Sequence, residues 1–402
     1  MRKDNLSTFI YSIIFCIFVA CIIIFPQEAF SSAKDGLMLW FNIVCPSLLP
    51  FFICVEILIG LGIVSFLGSA FKPLMGPLFN VPGEGSFSFF MSVASGYPVG
   101  ARITSRLRQE KLCTQIEGQR LLSLCSTSGP LFIIGAVATG IMNNPALGLL
   151  LASAHYLSAI AVGLIMRFYG GKAPQPPSAP TINPVADMLA YRKKDGRPIG
   201  ILLGDAVING VNLILMIGGF IILFSVATRM LKISGLLSFL ALFLSKAFPF
   251  GLLAPDVASS LLVGIMEVTN GVKDCAALQV PLIYKVTVTS FMIGFGGLSV
   301  NAQVMSIMSE TDLKFGIYFI VKILQGIAAS IFSCLIFLLC SDLEVFKTIN
   351  PVTPWIWNPG FILSWRRALS VTFICLAVVL LFMSVVSITG IKKRLIVPKP
   401  FR

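Results

Sequence analysis

Hydrophobic positions run along this chain in long blocks, not in the alternating or one-faced patterns of a soluble fold. Apolar runs at 8–25, 41–66, 122–142, 146–166, 204–229, 287–307, 313–340 and 369–390 predict about eight transmembrane helices. Two other apolar stretches, 83–100 and 255–271, are too short or too interrupted to cross. In the first, Gly83, Glu84 and Gly85 stand about a dozen residues before Ser95, Gly96 and Gly100, or roughly 18 Å of helix against a core of about 30 Å. That spacing predicts a re-entrant half-helix with broken backbone at both ends. Such backbone survives at membrane depth only inside protein or beside a wet cavity.

The two halves of the chain follow one order of elements. SFL at 65–67 recurs at 238–240, and MSVASGYPVGA (91–101) lies over LLVGIMEVTNGVKD (261–274), aligning Gly100 with Gly271. SLCSTSGPLFIIGAV (123–137) lies over TSFMIGFGGLSVNAQV (289–304), aligning Gly129 with Gly297. Each half then closes with one long apolar helix. A proline-rich connection, 167–200, divides them and carries Arg167, Lys172, Arg192, Lys193, Lys194 and Arg197. The expected organisation is an N-terminal transmembrane helix and outer loop (1–40), a first repeat (41–166) and a basic cytoplasmic linker (167–203). A second repeat (204–341) and a C-terminal transmembrane helix with a basic tail (342–402) follow.

Charge orients these elements. The chain has 402 residues, a net charge of +13 and 56% hydrophobic residues, with a mean hydropathy of +0.93. The basic residues cluster in short loops and tails, the positive-inside pattern of a multi-pass protein in contact with a lipid bilayer. No nucleic-acid groove module is visible. With Arg2 and Lys3 inside, the loop holding Arg102, Arg106, Arg108, Lys111 and Arg120 is cytoplasmic, and the second half runs opposite to the first. An all-α bundle of inverted-topology repeats results, the architecture of alternating access. Arg366 and Arg367 fall on the outer side and run against this topology. A retained first helix is expected over a cleaved signal peptide, because apolar spans continue throughout.

Enzyme chemistry has no foothold. HExxH, GxSxG and Walker signatures are absent, as is any CxxC pair among ten cysteines, and His155 is the single histidine. No metal site or cofactor is expected.

Candidate binding groups sit at the helix breaks. Pro130 follows Ser126, Thr127, Ser128 and Gly129, so the carbonyl of Ser126 loses its helical donor. Gly294, Gly296, Gly297, Ser299, Asn301 and Gln303 hold the equivalent place in the second half. For each residue alone, close packing of small side chains explains the pattern equally well. As paired clusters they read as a solute site. Half-helix N-termini favour anions, and Arg102 or Lys322 would add positive charge. Glu84 and Glu267, the latter beside Thr269 and Asn270, are intramembrane carboxylates that cap a half-helix, pair with a cation or bind a coupling ion. Glu56 is a weaker candidate. Asp205 and Asp256 read as caps, His155 as a structural hydrogen-bonding group, and Trp355, Trp357 and Trp365 as an interfacial belt.

NVPGEGSF (80–87), SGYPVGAR (95–102), STSGPLFIIGAV (126–137) and HYLSA (155–159) closely resemble the YlbJ-type sporulation integral membrane proteins, also called stage V sporulation protein VV, which contain nucleoside-recognition Gate domains. The resemblance implies transport in endospore-forming bacteria, of dipicolinic acid from the mother cell across the outer forespore membrane. Dipicolinate, a flat aromatic dianion, suits half-helix N-termini with Arg102 or Lys322, and Tyr97 offers a stacking face. Coupling to H+ or Na+ and assembly as a homo-oligomer are left open. The alternatives are a nucleoside or other metabolite carrier of the Gate class and a non-transporting assembly factor of the sporulation membrane.

Overall fold

The computed structural model describes residues 3–171, 183–247 and 253–340, all of them helical or in short connections. Helix α1 (Lys3–Ile24) stops before Pro26, which opens α2 (Pro26–Leu39) as an N-terminal proline. A π-helical turn, Trp40–Val44, carries α2 without a break into α3 (Cys45–Gly60). The expected outer loop and the 41–66 span are therefore one apolar helix, Pro26–Gly60. Its polar start stays helical because it packs on another helix. Ser32 donates to the Ser225 carbonyl at 2.8 Å, and Glu28 pairs with Arg229. The helix ends where Gly62 turns at φ +83°, a left-handed conformation suited to glycine.

α4 (Ile63–Phe79) keeps both ends on one face. Ser69 donates to Asp187 at 2.5 Å, and Asn80 accepts from Arg120 at 2.6 Å. It is followed by α5 (Gly85–Ser95) and α6 (Tyr97–Gln109), which fold back on each other. Ser88 Oγ meets the Gly100 carbonyl (3.1 Å) and Thr104 Oγ1 (2.8 Å), so the strands of this helical hairpin are antiparallel. Its tip is Gly96, at φ 86°, ψ −170°. The expected half-helix is thus one arm of a longer hairpin. GEG lies at the base and SGYP at the tip.

The predicted 122–142 span is interrupted. α7 (Gln115–Leu124) begins with a Thr114–Glu117 capping box and ends at Cys125. Residues 126–129 leave the helix, and Phe132–Ile141 resumes with π-helical bonding. α8 (Ala146–Met166) then crosses in full. The predicted linker contains α9 (Pro184–Asp195), and α10 (Ile199–Ile233) starts earlier and ends later than the expected 204–229.

The second half repeats this plan. α11 (Leu236–Ala247) corresponds to α4, and α12 (Pro255–Met266) and α13 (Val268–Ala277) form a second hairpin with Glu267 at its tip. Gly271 packs so closely on Gly264 that a Cβ there would overlap its Cα. Gly100 and Gly271, aligned by sequence, each lie four residues beyond a hairpin tip and against the opposite arm. α14 (Leu282–Phe295) and α15 (Gly297–Met308) form the second broken helix, interrupted at Gly296 and Gly297, both at positive φ. α16 (Phe315–Cys340) completes the described chain.

α16 fixes the relative directions. Lys314 donates to Gln119 at 2.9 Å and Tyr318 meets Ser126 at 2.9 Å, so α7 and α16 run the same way. Ser330 donates to the Thr287 carbonyl at 3.0 Å, and Gly294 packs on Gly326, so α14 runs oppositely. One hairpin enters from the face carrying Arg108 and Arg120, the other from the opposite face. The repeats are inverted. Val137, Leu151, Val272, Met292 and Ile336 build the core that joins them. The described helices long and apolar enough to cross a membrane are Pro26–Gly60, Ala146–Met166, Ile199–Ile233, Leu282–Met308 and Phe315–Leu339. The predicted 369–390 span, Arg366, Arg367 and the tryptophan belt lie outside the described residues.

Candidate functional site

Both hairpin tips, the first helix break and the helix that follows the second break converge on one cavity of about 100 Å³. Ser95, Gly96, Tyr97 and Pro98 come from the first tip, and Glu267, Val268 and Thr269 from the second. Ser128 and Gly129 come from the first break, and Ser299, Val300 and Gln303 from α15 beyond the second. The opposite wall is apolar. α3 supplies Leu48, Phe51 and Phe52, and α10 supplies Leu213, Ile217, Phe220 and Ile221. A mostly apolar hollow with few polar groups is the usual form of a small-molecule site.

The first break is held by partners for several of its unwound backbone groups, as burial requires. Lys322 Nζ donates to the Ser126 carbonyl at 2.9 Å and to Gln325 Oε1 at 2.7 Å, with the Tyr97 ring centroid 5.0 Å away. Thr127 N donates to Ser92 Oγ at 3.1 Å. Ser128 N donates to His155 Nε2 at 2.9 Å, and Tyr156 OH donates to the Ser128 carbonyl at 2.9 Å. As an acceptor at Nε2, His155 is the neutral imidazole with its proton on Nδ1. In the second break, Asn301 Nδ2 donates to the carbonyls of Phe295 (3.3 Å) and Gly297 (2.7 Å). Tyr97 is pinned by its hydroxyl on the Ile293 carbonyl.

Several predicted site residues therefore serve the frame. Ser126 and Thr127 are fully buried behind the cavity, and their hydroxyls go to Tyr318 and Ser92. Lys322 does not snorkel; it is 0% exposed and caps the unwound segment from within. Asn301 is a brace, and Gly297 packs on the second tip beside Val268. Gly296 approaches Tyr97. Gly83, Glu84 and Gly85 stand at the hairpin base, away from the cavity. Glu84 pairs there with Lys72 at 2.7 Å, not with Arg102. Arg102 lies on an exposed face of α6, and Gly100 sits inside the hairpin against Cys125. Glu56 accepts from Asn209 at 3.2 Å.

Within the cavity, Ser95 Oγ is buried with no hydrogen-bond partner among the described residues. Glu267 is 5% exposed and caps α13, its Oε2 accepting from Asn270 N at 2.8 Å. It is the one ionisable acid or base among the lining residues apart from the Tyr97 phenol. Asn270 itself turns away toward α10. The aromatic wall went unmarked in the sequence. Leu213, Ile217 and Ile221 keep helical spacing, but α10 is apolar all round and the stripe has no contrast.

Residues 41–172 match the Gate family, described as nucleoside recognition. The chain is 45% identical over 343 residues to the sporulation integral membrane protein YlbJ of Bacillus subtilis (strain 168), covering 84% of each. Its fold is similar to a solved structure of CNTnw in an inward-facing substrate-bound state, with a TM-score of 0.50 and 13% identity, covering 83% of this chain and 84% of that one. This chain belongs to the family of the sporulation integral membrane protein YlbJ, and its residues 41–172 carry the Gate match.

Proposed function

We propose that this protein is an alternating-access carrier that moves dipicolinate from the mother cell across the outer forespore membrane. One observation carries the reading: two oppositely directed hairpin tips, one helix break and the helix after the other break meet at one cavity against a separate apolar wall. Inverted halves of this kind exchange two equivalent arrangements around a central site. Phe51, Phe52, Phe132 and Phe220 offer ring faces to a flat aromatic solute. The N-terminus of α6, which opens at the cavity-lining Tyr97, turns a positive dipole end toward its carboxylates. The unpartnered Ser95 hydroxyl is a donor for one of them.

Glu267 constrains the mechanism. A dianion and a carboxylate in one cavity repel, so the solute enters with a proton on Glu267 or with a sodium ion beside it. Dipicolinate uptake into proteoliposomes under imposed proton or sodium gradients tests this. One gradient should drive accumulation, and Glu267→Gln should uncouple it. Uptake equal to that of empty vesicles under every gradient rejects dipicolinate as the solute.

A second reading is favoured by the same carboxylate. Among the described residues no lysine or arginine lines the cavity, which suits an uncharged ring-bearing solute such as a nucleoside. Uridine would then bind the purified protein and dipicolinate would not.

A further inference from the structure

A second cavity, of about 250 Å³, lies between α2, the end of α10 and α13. It sits toward the face opposite the basic loops, the outer face by charge. It continues the central cavity along the same two helices. On α10 the stripe Ile217, Phe220, Ile221 passes into Ser225, Thr228 and Lys232; on α13, Val268 and Thr269 pass into Asn270, Lys273 and Asp274. The lining thus changes from apolar to polar and charged along one continuous seam.

Two contacts close that seam on successive turns. Asn270 Nδ2 donates to Ser225 Oγ at 2.9 Å, and Lys232 Nζ pairs with Asp274 at 2.8 Å. Asn270 also links the partition to the central site, since its backbone N–H donates to Glu267. Arg229, Lys232 and Lys273 face the cavity against Asp35 and Asp274. Arg229 is held by Glu28 and Lys232 by Asp274, whereas Lys273 forms no ion pair among the described residues. Thr228 is 5% exposed, and its Oγ1 has no hydrogen-bond partner among the described residues.

We propose that this outer cavity is a second binding site on the solute's route, a vestibule for small dicarboxylate anions. Lys273 and the Thr228 hydroxyl hold the anion, and Ser225–Asn270 separates it from the central cavity. A carboxylate arriving there competes with Asp274 for Lys232 and so loosens the seam. The proposal rests on the carrier reading above.

The test is dipicolinate flux in proteoliposomes of uniform orientation, loaded from each face in turn. Lys273→Gln should raise KM at least fivefold for loading from the outer face and leave loading from the inner face unchanged. Lys273→Arg should restore the wild-type value, and Asp35→Asn should lower the outer KM. Lys273 is exposed, so these variants should fold. If Lys273→Gln matches wild type on both faces, or changes both equally, the vestibule is wrong while the carrier reading stands. If the wild-type protein moves no dipicolinate from either face, the carrier reading fails for this solute and the vestibule falls with it.

Discussion

At the scale of single residues, glycines and buried polar groups divide by what surrounds them. A Cβ at Gly100 would overlap the Cys125 carbonyl and press on Ser92, so the first hairpin cannot close around alanine. A Cβ at Gly76, inside α4, meets nothing within 4 Å. Gly100→Ala should therefore lower the detergent-solubilised melting temperature by an amount equivalent to about 1–3 kcal/mol. Gly76→Ala should leave it unchanged or raise it by about 0.5–1 kcal/mol. Equal effects from the two variants would contradict the packing described. The sequence marked both glycines as small, but only the fold says which one touches backbone. His155 and Lys322 make the same point. Both were visible as polar groups in apolar helices, yet their partners, Ser128 and Ser126, lie far away in the chain and were undetectable from spacing.

At the scale of elements, the helix breaks were legible and their continuations were not. Pro130 and the 296–297 glycines announced two interruptions. SGYP and MEVTN gave no sign that each was the turn of a hairpin, because the returning arms α6 and α13 are short and carry charged residues, so no apolar run marks them. The arms are tied to neighbouring elements by groups outside the membrane. Arg108, at the end of α6, bonds Asp312 before α16 at 2.8 Å and holds its carboxyl below the ordinary value. A carboxyl depressed in this way stabilises the fold above the unfolded-state pKa of about 4 and loses that contribution as pH falls through the folded value. The pair is partly exposed, so the effect is small and weakened by salt. Wild type should melt above Asp312→Asn near pH 6 at low salt, and the difference should shrink as pH is lowered below about 4. A constant difference across that range would remove the ion pair as its cause. Asp195, drawn down to about 2 by Arg197, fastens α9 to the start of α10 in the same manner.

At the scale of the whole molecule, the proposed carrier cycle requires the inverted halves to move against the α3–α10 wall. Ser225 on α10 and Asn270 on α13 touch across that boundary. A Ser225→Cys/Asn270→Cys variant, made where oxidant leaves the parent active, should lose solute flux when oxidised and regain it with reductant. Undiminished flux in the cross-linked protein would show that the seam does not open during transport. Apolar run length already determined an all-helical membrane protein, and the recurring motifs its duplicated order of elements, because lipid demands long apolar stretches of the chain itself. Only the tertiary structure decided which polar residues face solute and which mend broken backbone. Each unwound carbonyl and N–H must be satisfied by whatever side chain the fold brings near. Ser126, Asn301 and Lys322 were consumed in that way, and Ser95 and Glu267 were left to the cavity.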